Sequence, residues 1–421
     1  MLLLRRLPSA SSLRALQPLL AGDGGRREAS QLTKVGPLAL TNKGLKAGPG
    51  GRSSVSGVVA TVFGCSGFLG RYVVNALAQS GSQVVCPFRC DDLDVQHLRQ
   101  MGDLGQIVYL KDFKLRSDEA VRHAIHRSNV VINLLGIEKE TMNYTFDEVH
   151  VDFAQRIAKA CAESEVCERL LHVSCLGASE KALSRRLQTK AKGEAAVQAA
   201  FKDATIFRPA QMVGVEDRLF NTYAQLAKRL PFIPLVDGGH AKLQPVYVRD
   251  VADGIVNSLK LKDAPGKTYH LAGPDVLTVK QIVDLVFHTI REPYKALTVP
   301  GAIAKLVAAP REMLFKKVPI PMPTFLTADY VAEMQQDNIL PVGELGRQVV
   351  PTLEDLDVDA MKVTEGIPIE HVRHYRVGGY DFGTTSERQA TGGAGYGGGP
   401  HQPSAGSGFE KTGAPQPWDS A

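Results

Sequence analysis

The sequence predicts an α/β protein: a doubly wound parallel sheet, a smaller mixed C-terminal lobe and a disordered glycine-rich tail. Three observations lead there. Between Val58 and Pro209, short β-branched runs alternate with helical patterns, as expected for parallel strands joined by crossover helices. Beyond Pro209 the rhythm breaks and prolines multiply, in PFIPL, PVYV, VPIPMPTF and LPVG. The last 45 residues, from Val377, hold 12 of the 40 glycines, with too little apolar side chain to offset the entropy of ordering them.

The N-terminal stretch MLLLRRLPSASSLRALQPLLAG carries Arg5, Arg6 and Arg14, several serines and no acidic residue before Asp23. Leu13, Leu16 and Leu20 fall on one helical face, so residues 1–43 read as an amphipathic mitochondrial transit peptide and leader, with cleavage expected between Gly24 and Gly44. Residues 44–209 form the dinucleotide-binding domain, 210–376 a smaller mixed lobe interleaved with it, and 377–421 the tail. The chain is formally +5. Residues 1–30 contribute five Arg against Asp23 and Glu28, or +3, which leaves +2 for the remainder. A near-neutral body with no basic run excludes a nucleic-acid surface. The six cysteines form no C-x-x-C pair and no zinc-like array, and read as reduced, buried thiols. His371 and His374 read as a solvated helix face rather than metal ligands. No apolar window is long enough to span a bilayer; ALTVPGAIAKLVAAP is interrupted by Pro300 and Lys305.

The candidate strands are VVATVF, SQVVCPF, QIVYL, NVVINLLG, RLLHVS and ATIFRP, near-continuously apolar as strands buried on both faces must be. Helices are expected to start near Phe68, Leu93, Ser117, Asp147 and Gln188. In the second half Thr278 and Gln281 make a capping box ahead of the stripe Val279, Ile282, Val283, Val286 and Ile290.

The chemistry-bearing stretch is TVFGCSGFLGRYVV, Thr61 to Val74. Gly64, Gly67 and Gly70 fall as G-x-x-G-x-x-G directly after a strand, the Rossmann arrangement of tight turn, close pyrophosphate approach and tight helix packing. The candidate phosphate contacts are Gly64, Ser66, Gly67, Phe68, Leu69 and Gly70. There, backbone N–H groups and the helix dipole favour negative charge. The second strand ends CPFRC and places Arg89 nineteen residues after Gly70. A cation there suits a ribose 2′-phosphate, so NADPH is expected over NADH; the alternative is that Arg89 only pairs with Asp91, Asp92 and Asp94. Asp112 is placed to accept from the adenine amino group. Leu135 and Gly136, in NLLG, line the nicotinamide side. Both placements also have ordinary strand-end readings.

These features resemble the extended, atypical short-chain dehydrogenase/reductase family, with further matches in HVS after the fifth strand, RPAQMVG after the sixth, and PVYVRDVADGI. Within that family, GGRSSVSGVVATVFGCSGFLGRYVVNAL, FRCDDLDVQHLRQMGDLGQ, SNVVINLLG and QPVYVRDVADGIVN are similar to nucleotide-binding accessory subunits of mitochondrial complex I. The similarity runs from about Gly50 to Arg376 and thins after Pro310. It implies that Pro209 also lines the cofactor cleft. Active members use a Ser and a Tyr-x-x-x-Lys, the tyrosine passing a proton to the substrate. Ser174 and Lys190 match, but Arg186 stands at the tyrosine position, and a guanidinium is no proton donor near neutral pH. The resemblance therefore implies no catalytic residues and a non-catalytic subunit of complex I that holds NADPH as a structural or sensing ligand. Its partners would be other complex I subunits, with contact to the membrane surface or quinone-region subunits. It would sit peripherally on the matrix side of the inner membrane. The alternative is an NADPH-dependent reductase or epimerase of the matrix, with a donor such as His240 or Tyr247.

Overall fold

The computed structural model describes residues 51–317, 327–341, 350–364 and 366–376. The expected leader and the glycine-rich tail lie outside those residues.

Val59–Phe63 (β1) is buried along its whole length, as its apolar run requires. After the glycine turn, Phe68–Gln79 (α1) buries Leu69, Val73 and Leu77, spaced one turn apart on a single face. Gln83–Pro87 (β2), Ile107–Leu110 (β3), Asp118–Ile125 (α2), Val130–Asn133 (β4), Phe153–Glu163 (α3), Arg169–Val173 (β5), Arg185–Ala200 (α4) and Thr205–Pro209 (β6) follow. All six expected strands form. The Ser117 hydroxyl caps α2 by accepting from the Ala120 N–H at 3.4 Å. Near Leu93, 3-10 turns over Asp92–Gln100 replace the expected helix. A π turn, Glu148–Asp152, precedes α3. Helix α4 starts at Arg185 rather than Gln188, because Ser184 is the last extended residue (φ −84°, ψ 132°).

The second half adds Met212–Val213 (β7), Phe220–Arg229 (α5), Ile233–Val236 (β8), Lys242–Leu243 (β9), Val246–Tyr247 (β10), Val248–Ser258 (α6), Thr268–Leu271 (β11), Leu277–Thr278 (β12), Val279–Ile290 (α7), Ala296–Val299 (β13), Gly301–Lys317 (α8) and Ala328–Glu333 (α9). The central sheet has seven strands in the order β11-β6-β5-β4-β1-β2-β3, every pairing parallel. The expectation of six strands is thus one short: β11 joins the outer edge of β6. Its sequence, TYHL, is too brief and too polar to announce a buried strand.

Alternating strand residues feed two cores. Val62, Val84 and Leu171 pack with Val73 and Leu77 of α1 and Val251 and Ile255 of α6. Phe63, Val131 and Leu170 face the other way, onto Ile125, Ile157 and Val197. A third core is built from residues between Val213 and Val372, where the Thr278–Gln281 capping box forms as expected and all five stripe residues of α7 are buried. At roughly 1.5–3 kcal/mol per buried aliphatic side chain, that stripe contributes on the order of 10 kcal/mol of transfer free energy. Among the described residues no helix is long and apolar enough to cross a membrane.

Candidate functional site

The sheet order reverses direction between β1 and β4, and the crevice outside their carboxyl ends is where an open α/β sheet takes ligands. Gly64, Ser66, Gly67, Phe68, Leu69 and Gly70 lie at this mouth. Gly64 turns the chain with φ +88°. A Cβ on Gly70 would sit 2.3 Å from the Gly64 carbonyl oxygen and 2.7 Å from that of Cys65, so strand and helix meet with no room for a side chain. Gly67 is exposed, and the first turn of α1 carries no acidic residue. The Gly67 N–H is spent on the Gly64 carbonyl at 3.0 Å, which leaves the N–H groups of the first turn of α1 as a positive dipole end with no acidic residue in that turn. This cradle fits a pyrophosphate.

One side of the crevice is closed by a strap. In the loop after β7, Glu216 accepts from Arg71 at 2.8 Å and from the Tyr72 hydroxyl at 3.2 Å, both on α1. Two residues on, Arg218 pairs at 2.7 Å with Glu138, in the loop after β4.

Arg89 is exposed at the end of β2. Two of the three acidic residues nearby have other partners: the Asp91 carboxylate accepts from the Asp92 N–H at 2.7 Å and Asp92 pairs with Lys111 at 2.5 Å. The Arg89 guanidinium lies over the Tyr144 ring, 4.4 Å from its centroid. Asp112 is exposed just beyond β3 with φ +53°, a conformation that Asp tolerates better than most residues.

Leu135, Gly136, Ser174 and Lys190 come together. The buried Lys190 ammonium donates to the carbonyls of Leu135 (3.3 Å) and Val173 (3.4 Å). A Cβ on Gly136 would meet Lys190 Nζ at 3.0 Å. The Ser174 hydroxyl is buried with no hydrogen-bond partner among the described residues, a polar atom left for something in the cleft. Burial pushes the Lys190 amine below its ordinary value, and Arg186 adds to the effect. Pro209 is buried at the end of β6, its carbonyl accepting from Leu176 N–H at 2.7 Å.

Arg186, at the position of the family tyrosine, lies close enough to act on Lys190 but is engaged by a carboxylate. Its Nε and Nη2 donate to both carboxylate oxygens of Glu333, on α9, each at 2.7 Å. Burial works against the charge, but Glu333 outweighs it and holds the guanidinium above its ordinary value. Ser184 donates to Asp329 and Glu333, and the Arg185 N–H donates to Asp329, so the first turn of α4 is pinned to α9. The space beyond, lined by Arg186, Glu138, Gln211, Arg218, Tyr223, Tyr330 and Glu333, amounts to about 70 Å³.

Sequence reasoning missed Tyr223 and Tyr330, whose hydroxyls hydrogen-bond to each other at 2.9 Å in that pocket. Burial pushes Tyr223 up to about 12 and raises Tyr330 as well, which makes both reluctant acids. Neither donor suggested from sequence lines the pocket: His240 is exposed and Tyr247 is buried in the core beside α1. Missed too were His150 and His172. His150 Nε2 accepts from the Ile137 N–H at 3.2 Å, so its proton is on Nδ1, donated to Thr189 at 2.9 Å. Asn133 joins His172 at 3.1 Å. No spacing rule marks a histidine as buried; the π turn before α3 buries His150 and β5 buries His172. His371 also departs from expectation: rather than a solvated face it turns inward to Asp217, 3.8 Å away, beside Phe220. The six cysteines are free; Cys65, Cys86 and Cys161 are buried and Cys90, Cys167 and Cys175 partly so.

The histidines give the fold an acid limit. Burial lowers His150 to about 2 and His172 to about 3, below the ordinary 6.5. Below pH 6.5 the unfolded chain therefore takes up protons that the folded chain refuses, and stability is lost as pH falls from 6.5 toward 3. At pH 4.5 each histidine costs roughly 2–3 kcal/mol at about 1.4 kcal/mol per pH unit. Asp250, raised to about 6 chiefly by burial, opposes this, because its protonated form is the one the fold prefers. His270, lowered to about 4 chiefly by burial, adds to the loss, so three histidines against one aspartate leave a net loss on the order of 6 kcal/mol. The melting temperature should fall between pH 7 and 4.5; a flat or rising profile would contradict the assignment.

Residues 60–272 match the model of the NAD dependent epimerase/dehydratase family. The chain is 43% identical over 381 residues to NADH dehydrogenase (ubiquinone) 1 alpha subcomplex subunit 9, mitochondrial, of Arabidopsis thaliana, covering 90% of this chain and 92% of that protein. With the Mus musculus protein of the same name it shares 43% over 334 residues, 78% of this chain and 83% of the other. Among solved structures, UDP-glucuronic acid 4-epimerase of Bacillus cereus, in complex with UDP-glucuronic acid and NAD, superposes with a TM-score of 0.50 at 14% identity. It covers 66% of this chain and 99% of that one, a likeness of fold alone. The chain belongs to the NAD dependent epimerase/dehydratase family, within the branch of mitochondrial NADH dehydrogenase (ubiquinone) 1 alpha subcomplex subunit 9 proteins.

Proposed function

We propose that this protein is an accessory subunit of mitochondrial respiratory complex I that holds NADPH as a structural ligand and carries out no redox step. Its partners are the other subunits of that complex, and its place is the matrix side of the inner membrane, bound peripherally. The relatives named above support the assembly and the organelle. The observation that carries the non-catalytic reading is the Arg186–Glu333 pair. The position that must deliver a proton holds a fixed cation instead, and loss of a positioned donor costs on the order of 10² to 10⁴ in rate.

A nicotinamide dinucleotide would be held by the glycine turn at its pyrophosphate, by Lys190 and Ser174 at the nicotinamide ribose, and by Arg89 at the 2′-phosphate, with Asp112 near the adenine. When bound, such a nucleotide supplies hydride chemistry. Here the chain's own residues bind it, and the tyrosine position of the family is filled by Arg186, which cannot pass a proton. Binding to the folded state alone adds stability that grows with the logarithm of ligand concentration over Kd.

The test is gentle solubilisation of mitochondria followed by native separation and mass spectrometry of the bound nucleotide. Co-migration with the large inner-membrane assembly, with one NADPH per chain that does not turn over, is expected. A free monomer in every fraction, or multiple-turnover oxidation of NADPH by a carbonyl or quinone, would refute it.

A further inference from the structure

We infer that Tyr144 is a positioning residue for nucleotide selection: its ring holds the Arg89 guanidinium in place for a 2′-phosphate. This rests on the reading of Arg89 as the phosphate ligand. Arg89 is exposed and its acidic neighbours Asp91 and Asp92 are engaged elsewhere. Its guanidinium carbon sits over the Tyr144 ring, 4.4 Å from the centroid. A guanidinium stacks through its face and binds phosphate through the N–H fork at its edge. The stack therefore orders the side chain while leaving its donors free. A flexible arginine otherwise loses its rotamer freedom on binding, and preorganisation removes that cost.

Tyr144 is itself anchored. Its backbone N–H and carbonyl exchange hydrogen bonds with Thr141, at 3.3 and 3.0 Å. Its ring meets Phe153 edge-on, with centroids 6.2 Å apart. A second guanidinium, that of Arg116, lies 5.0 Å from the same ring, fixed by Glu148 at 2.7 Å and by the Asn143 carbonyl at 2.8 Å. Arg116 already has its carboxylate, Glu148; among the described residues Arg89 makes no ion pair. One aromatic ring thus joins the loop after β4 to the end of β2, and of the two cations it gathers, Arg89 is the one with donors to spare.

The experiment uses the purified full chain, with Kd for NADPH and for NADH measured in parallel. Tyr144→Leu should weaken NADPH about tenfold and leave NADH within twofold, lowering the preference ratio. Tyr144→Phe, which keeps the ring and drops the hydroxyl, should retain the wild-type ratio. Equal loss of both nucleotides in Tyr144→Leu would mean a merely structural role and overturn the inference. So would failure of Tyr144→Phe to keep the ratio, a readout that survives if the leucine variant does not fold. Arg89→Glu separates the two levels. If it collapses the ratio while Tyr144→Leu does not, the positioning role falls and the phosphate reading stands. If Arg89→Glu weakens both nucleotides equally, the phosphate reading falls and takes this inference with it.

Discussion

Replacing Glu333 by lysine is expected to destabilise the protein by about 2–4 kcal/mol, below the 3–5 kcal/mol typical of breaking a fully buried pair because these side chains are about a fifth exposed. The cost is the orphaned Arg186 rather than the lost bond. Its guanidinium would keep its place under α4 with a like charge facing it, and the contacts of Ser184 and Arg185 with α9 would be strained in turn. The midpoint of denaturant unfolding measures this directly. A midpoint unchanged from wild type would show that α4 is held to α9 by other contacts, and would remove the main physical support for Arg186 as a fixed cation.

Gly70→Ala is the second change with a large expected effect. The added methyl group would lie 2.3 Å and 2.7 Å from two backbone oxygens, and backbone, unlike a side chain, cannot rotate away. Either the helix is pushed off the strand or the glycine turn opens; overpacking of this kind costs about 3 kcal/mol or more. Both responses disturb the N–H groups that would receive a pyrophosphate, so nucleotide affinity should drop along with stability. A variant that melts like wild type and still binds nucleotide would show that the turn is looser than the geometry implies.

What could be read from the residues depended on how local the cause was. The six apolar runs were legible as strands because burial is written almost residue by residue into β1, β4, β5 and β6, while β2 and the half-buried edge strand β3 keep the apolar composition. The start of α1 was legible because three glycines have one structural use after a strand. The seventh strand was not, since TYHL is recognisable only by its neighbour β6. The absence of a tyrosine four residues before Lys190 was plain in the sequence, but not what Arg186 does instead. Its partner Glu333 lies 147 residues away, and no periodicity connects them. Tyr144 was hidden for the same reason: an aromatic in a loop carries no mark of the cation it faces. Arg89 lay between these cases, its position readable and its partner not.

The position of β11 also has a bearing on how the protein is made. As the chain emerges from its N-terminus, β1 to β6 can pair long before Thr268–Leu271 exists. Until then the outer side of β6 presents a row of unpaired N–H and carbonyl groups. Such an edge is a template for pairing with another chain. The intervening residues, including α6, which packs on α1, must be synthesised and folded back before the row is closed. The sheet therefore has a period of exposure built into its strand order. A chain that stops before Thr268 would keep that open edge permanently.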